Sequence, residues 1–218
     1  MRPARDELVH RLRLYVVTDR ALARGRSERE VVAAAIEGGA TAVQLRGKDW
    51  DGLELYRVGT ELREMTAREG VLFFVNDRVD IALAVRADGV HVGQRDIPAK
   101  VVRQIVGPDM IVGVSVENLE QAVRAEDEGA ADYIGVGPVW ATGTKPDAAS
   151  PIGLNGLREI CEKVNIPVVA IGGISHSNAG DVMAQGADGI AVVSAVVSAD
   201  DIVGAARALA RTVSSFQR

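Results

Sequence analysis

The chain has 218 residues, of which 47% are hydrophobic and 25% charged, and a formal net charge of −5. That acidity excludes general nucleic-acid affinity, which needs a basic surface, but not an anionic small substrate met by a few local Lys and Arg residues. A lone cysteine, Cys161, excludes an internal disulfide, and no apolar stretch is long enough to span a bilayer.

The N-terminal residues carry scattered charges (Arg2, Arg5, Asp6, Glu7) and no apolar signal-peptide core. With the single cysteine this predicts a cytoplasmic protein. The first strand candidate spans 13–18, and a helix follows over 28–37 with Ser27 and Glu30 at capping-box spacing. A strand over 41–46 leads to a helix over 51–68 with Asp51 as its N-cap candidate. Next come a strand over 72–75, a short helix around 78–85, a strand over 88–92 and a helix over 98–106. The second half repeats the alternation: strands over 111–114, 132–136, 167–171 and 188–193, and helices over 117–128, 155–164, 177–185 and 200–213. Ser115 and Ser177 are further N-cap candidates.

One phrase recurs at four of the helix-to-strand junctions. It reads Gly38-Gly39-Ala40-Thr41-Ala42-Val43, Ala87-Asp88-Gly89-Val90, Gly129-Ala130-Ala131-Asp132-Tyr133-Ile134 and Gly186-Ala187-Asp188-Gly189-Ile190. A glycine there can end a helix in the left-handed conformation, and the β-branched run after it reads as a strand. Recurrence of the junction marks a repeated αβ unit. Most strand candidates are continuous Val/Ile runs, the signature of strands buried on both faces. Eight βα units without a linker between them predict one α/β domain over 1–218, a (β/α)8 barrel. An open doubly wound sheet is the alternative, weakened because no GxGxxG follows the first strand.

In such a barrel the chemistry lies just after the C-terminal ends of the strands. Gln44, Arg46 and Lys48 follow the second strand, Asn76 and Asp77 the third, and His91, Gln94 and Asp96 the fourth. Ser115 follows the fifth. A long segment with Thr142, Gly143, Thr144 and Lys145 follows the sixth, Gly172-Gly173 the seventh, and Val193-Ser194 the eighth. Arg46, Lys48 and Lys145 suit phosphate oxygens. Asp77 and Asp96 are hard oxygen donors that suit Mg²⁺ alongside a diphosphate. The glycine pair and Val193-Ser194 lie where many barrels bind a second phosphate.

Each signal alone has a plainer reading. Arg46 and Lys48 could be surface charges, and Asn76-Asp77 a turn with a cap. Asp96 or Ser115 could be helix caps, and Gly172-Gly173 a tight turn. His91 reads as a packed strand residue, Cys161 as a buried structural thiol, and Trp140 either walls an aromatic substrate or packs. The joint placement of the polar residues after consecutive strands is what favours a site.

Along nearly its whole length the chain resembles the thiamine-phosphate synthase family. The resemblance runs from Leu14-Tyr15-Val16-Val17-Thr18-Asp19 and Val43-Gln44-Leu45-Arg46-Gly47-Lys48 to Val75-Asn76-Asp77-Arg78-Val79-Asp80. It continues through Ala87-Asp88-Gly89-Val90-His91-Val92-Gly93-Gln94-Arg95-Asp96, Gly113-Val114-Ser115 and Tyr133-Ile134-Gly135-Val136-Gly137-Pro138-Val139. It ends with Ala170-Ile171-Gly172-Gly173-Ile174 and Val192-Val193-Ser194-Ala195. The resemblance implies a Mg²⁺-using (β/α)8 enzyme. It would join an aminomethylpyrimidine methyl diphosphate to a thiazole ethyl phosphate, or its carboxylated form, releasing thiamine phosphate and diphosphate. Gln44, Arg46, Lys48, Asn76, Ser115 and Lys145 would hold the pyrimidine diphosphate, and Asp77 and Asp96 the Mg²⁺. Thr142, Gly143, Thr144, Gly172 or Gly173, Val193 and Ser194 would hold the thiazole phosphate. Arg46, Lys48, Ser115 and Lys145 are the expected catalytic set. The partners implied are these small molecules, with no nucleic acid or membrane, and the oligomeric state is open, a homodimer included.

Two positions depart from the family pattern: Gly47, where Glu is frequent, and Gly143 in the loop after the sixth strand. That loop, within 137–153, is the longest connection and is expected to act as a lid. A thiazole tautomerase, a non-catalytic thiamine phosphate sensor and another phosphosugar barrel are the competing readings. The retained cations and carboxylates favour the synthase over all three.

Overall fold

The structure, a computed structural model, describes residues 3–143 and 149–216. Its strands are β1 (Leu14–Val17), β2 (Ala42–Leu45), β3 (Leu72–Asn76), β4 (Gly89–Val92), β5 (Ile111–Val116), β6 (Tyr133–Val136), β7 (Val168–Ile171) and β8 (Gly189–Val192). They pair in parallel in chain order, and β8 returns to pair with β1, so the sheet is a closed barrel and the open alternative falls. The helices are α1 (Arg5–Arg11), α2 (Glu28–Glu37), α3 (Gly52–Glu69), α4 (Val79–Ala84), α5 (Ala99–Val106), α6 (Leu119–Asp127), α7 (Gly153–Lys163), α8 (Ala179–Ala184), α9 (Ser194–Val197) and α10 (Ile202–Ser214). Among the described residues no helix is long and apolar enough to cross a membrane.

The recurrent junction has a structural purpose beyond ending helices. Its polar residue stands just before each even-numbered strand and bonds twice to the odd-numbered strand beside it. Asp88, Asp132 and Asp188 accept from the backbone N–H of Phe73, Val112 and Val168, each at 2.8 Å. Their own N–H groups donate to the carbonyls of the same three residues. Thr41 does the same to Leu14, accepting through its hydroxyl at 3.0 Å. Each pair satisfies a strand-start donor that would otherwise be buried without an acceptor. The left-handed turn before the strand is taken by Gly39, Gly129 and Gly186, but by Arg86 (φ 54°) in the second copy.

Alternation divides the apolar residues into two cores. One fills the space between strands and helices. The other lies inside the barrel, where Tyr15, Phe74, Ile111, Tyr133 and Val169 pack with Leu8 and Leu12. Leu8 stands on α1 and Leu12 is its C-cap residue, so this helix closes the N-terminal end. The rings fit because glycines face them: a β-carbon on Gly113 would lie 2.3 Å from Tyr133, and one on Gly89 2.5 Å from Phe74.

Two of the four expected caps hold. Ser27 and Glu30 form the full capping box, and Asp51 accepts from Glu54 N–H at 2.8 Å. The others do not. Ser115 lies within β5, and Asn118 caps α6 by accepting from Gln121 N–H. Ser177 bonds to Ser175 instead, because α8 starts only at Ala179.

Candidate active site

The C-terminal mouth of the barrel opens a cavity of about 630 Å³. From β2 come Gln44, Arg46 and Lys48; from the β3 and β4 ends come Asn76, Asp77 and Asp96; from β5 comes Ser115. Thr142 and Gly143 line it from the segment after β6, Gly172 and Gly173 from β7, and Val193 and Ser194 from β8. Thr144 and Lys145, with the middle of the expected lid, lie outside the described residues. Every other expected site residue meets in this one cavity.

Arg46 is positioned by β1. Its guanidinium pairs with Asp19 at 3.3 Å, and its N–H donates to the buried Thr18 hydroxyl at 3.1 Å. Asp19 also accepts from Leu22 N–H, so one carboxylate fixes both the β1 loop and the cation. Gly47 is shaped by Trp50: a β-carbon there would meet the indole at 2.5 Å, and Arg20 lies 3.6 Å over that ring.

Asp77 is the perturbed carboxyl of the mouth. Asp77 sits in the left-handed region (φ 59°), an uncommon conformation for a non-glycine residue, at the turn from β3 into α4. Its N–H donates to His91 O of the adjacent strand at 2.9 Å. Asp96 turns back to accept from Gly93 N–H at 2.7 Å, so it braces the turn after β4 and does not cap α5. Burial pushes the Asp77 carboxyl up to about 6, and its hydrogen bond and repulsion with Asp96 push the same way; Lys48 and Asn76 oppose. Two carboxyls forced together beside one ammonium form a hard-oxygen donor set suited to a divalent cation that also meets phosphate oxygens.

Gly172 and Gly173 are explained by backbone contact as well as by any anion. Both have positive φ (99° and 67°), and a β-carbon on Gly172 would lie 2.5 Å from Pro138. They let the β7 end cross closely over the strand that leaves β6. Beside them α9, a single turn beginning at Ser194, was not expected from the sequence. It places the backbone of Val193 and Ser194 at the mouth.

Below the rim lies a set that the sequence concealed. Gln44, Tyr15, Tyr133, His91 and Ser115 are joined by hydrogen bonds across the barrel interior. His91 is buried, as expected, but faces inward rather than into the helix layer. Trp140 packs on the outer core and is not among the described residues lining the cavity. Cys161 is half-buried on α7 rather than fully enclosed.

The closed parallel barrel and the charged cavity at its C-terminal mouth define a (β/α)8-barrel enzyme. Residues 14–196 match the family of thiamine monophosphate synthase. A thiamine-phosphate synthase of Chloroflexus aurantiacus is 59% identical over 205 residues, covering 94% of both chains. One from Moorella thermoacetica is 53% identical over 200 residues, covering 92% of this chain and 95% of that relative. A solved structure of thiamine phosphate pyrophosphorylase from Pyrococcus furiosus superposes with a TM-score of 0.89 at 49% identity, covering 96% of this chain and 98% of that one. The chain belongs to the thiamine monophosphate synthase family and is an enzyme of thiamine biosynthesis.

Proposed function

We propose that this enzyme condenses 4-amino-2-methyl-5-(diphosphooxymethyl)pyrimidine with 4-methyl-5-(2-phosphoethyl)thiazole, or the carboxylated thiazole, to give thiamine phosphate and diphosphate. The observation that carries the reading is the convergence of Arg46 and Lys48 with the Asp77–Asp96 pair in one cavity. That is the charge pattern a leaving diphosphate with a divalent cation requires.

Asp77 and Asp96 would hold Mg²⁺. When bound, that ion supplies neutralisation of the leaving diphosphate. Arg46 contributes a guanidinium already held in place by Asp19, so little reorganisation is needed when charge develops on the departing oxygens. Lys48 adds a second cation at the same end of the pocket. Ser115 offers a hydroxyl, and Lys145 is assigned to the diphosphate by the sequence resemblance. The Gly172-Gly173 turn and the start of α9 would receive the thiazole phosphate, where barrels commonly hold such a group.

The bond to break joins the diphosphate oxygen to a methylene on an electron-rich aminopyrimidine, which favours a dissociative path. The thiazole nitrogen already carries its lone pair, so no general base is needed. The residues therefore act by aligning two rings and offsetting charge. Calorimetry of the pyrimidine diphosphate tests the pocket. Binding should require Mg²⁺ and weaken by about 100-fold or more in Asp96→Ala or Arg46→Ala. Equal affinity with and without Mg²⁺ would refute the assignment.

A further inference from the structure

We propose that Gln44, Tyr15, Tyr133, His91 and Ser115 form one directional hydrogen-bond chain that makes the pocket select an amino over an oxo substituent on the pyrimidine. The substrate class rests on the function proposed above; the direction of the chain does not.

The five side chains come from five strands and join across the barrel interior, along the inner wall of the cavity. Gln44 Nε2 donates to Tyr15 Oη at 2.9 Å, and Tyr15 Oη lies 3.1 Å from Tyr133 Oη. Tyr133 Oη is 2.8 Å from His91 Nδ1, and His91 Nε2 is 2.8 Å from Ser115 Oγ. Both tyrosines are buried, and burial pushes their phenols up, so each keeps its single proton at neutral pH.

Proton counting then orders the chain. Tyr15 accepts from Gln44, and among the described residues its hydroxyl has Tyr133 as the remaining partner, so it donates there. Tyr133 in turn donates to His91 Nδ1. His91 is therefore neutral, with its proton on Nε2, and donates to Ser115 Oγ. Ser115 is left with its own proton to give to the cavity. At the other end Gln44 has its amide oxygen and the second Nε2 proton to offer.

Turning the Gln44 amide over would reverse every link. Ser115 would then spend its proton on His91 and present only lone pairs, and Gln44 would present N–H. At the cavity position taken by the Gln44 oxygen, and at Ser115, only two patterns are thus fully satisfied: acceptor there with donor at Ser115, or, with the amide turned, the converse. A mixed pattern leaves a buried donor or acceptor unmade. A 4-aminopyrimidine with an anionic side arm matches the first pattern, its amino group facing Gln44 and an acceptor facing Ser115. A 4-oxo analogue that presents an acceptor to Gln44 demands the second pattern there but still needs the donor at Ser115.

Tyr15, Tyr133 and His91 thereby act as positioning residues through Gln44 and Ser115. Two measurements test this. In the substrate-free protein, nitrogen NMR of His91 should show Nδ1 unprotonated and Nε2 protonated. The Nδ1–H tautomer or an imidazolium at neutral pH would overturn the chain's direction, whatever reaction the enzyme performs. Steady-state kinetics of the amino substrate, with its 4-oxo diphosphate analogue as competing ligand, should show discrimination of roughly 10–100-fold. Tyr133→Phe, which keeps the ring, should uncouple the two ends and reduce that ratio about 10-fold or more, and Tyr15→Phe should do the same. Unchanged discrimination in a folded variant of either kind would overturn the proposal. Absence of turnover with the expected NMR pattern would instead refute the substrate assignment and leave the chain standing.

Discussion

Asp77 stands beside Asp96 across the ends of β3 and β4, and burial, followed by the influence of the Asp96 carboxyl, raises the Asp77 carboxyl to about 6. The sign of the resulting pH dependence follows. Between the ordinary value of 3.8 and about 6, the folded state retains a proton that the unfolded state releases. Stability of the metal-free protein therefore falls as pH rises through that window. Thermal melts across it should show a declining Tm, and Asp77→Asn should flatten the decline. Mg²⁺ binding should strengthen over the same window, because the cation competes with the shared proton.

The same Asp77→Asn change should lower kcat/KM by about 10²-fold or more while leaving the fold intact, since it removes an anionic oxygen donor and little volume. Steady-state rates alongside Tm check both halves. A variant that is both less stable and equally active would contradict the role given to this residue.

Lys145→Ala should reduce kcat by about 10²–10³-fold with no loss in Tm, because its assigned task is to offset charge on the leaving diphosphate. Unchanged turnover would remove Lys145 from the catalytic set.

The tie between Asp132 and its neighbours should be structural alone. Its carboxylate meets Arg103 at 2.5 Å and Val112 N–H at 2.8 Å, at the end of the barrel away from the site. Asp132→Ala strands the Val112 N–H and removes the counter-ion of Arg103, which keeps the carbonyls of Gly107, Met110 and Ala130, and should destabilise by about 1–3 kcal/mol in urea titrations. The kcat of the folded fraction should be unaltered.

Arg86 holds a left-handed conformation where the other copies of the junction have glycine. Arg86→Gly relieves that strain against a greater loss of chain entropy, and should stabilise by up to about 1 kcal/mol. Chemical denaturation reads this directly.

Much of this architecture is visible in the residues themselves. Continuous Val/Ile runs mark strands covered on both faces, and the Gly…Asp/Thr junction marks their period. Every expected binding or metal-holding residue within the described segments lines the cavity, because closing the barrel brings successive strand ends together; of the strand-end residues Gln94 does not, since its amide is taken up by Ser115 O and Arg124. Other features depended on information that local pattern lacks. The helix α1 is short and charged, and its buried purchase is Leu8 with the C-cap residue Leu12 inside the far barrel end. The single turn α9 is too brief for a period. Tyr15 and Tyr133 stand within hydrophobic strands that give no sign of a partner; only closure shows that their hydroxyls meet at the centre. The Gly172-Gly173 pair suggested an anion cradle, and the crossing against Pro138 is a second reason for it that sequence does not display.

The central claim is that this cavity couples two phosphorylated heterocycles with loss of diphosphate. Diphosphate release should be followed with the pure protein, both heterocycles and Mg²⁺, and again with each component left out in turn. The account predicts release matched by thiamine phosphate formation only in the complete mixture. Release without the thiazole phosphate at the full rate, or no release from the complete mixture, would contradict it.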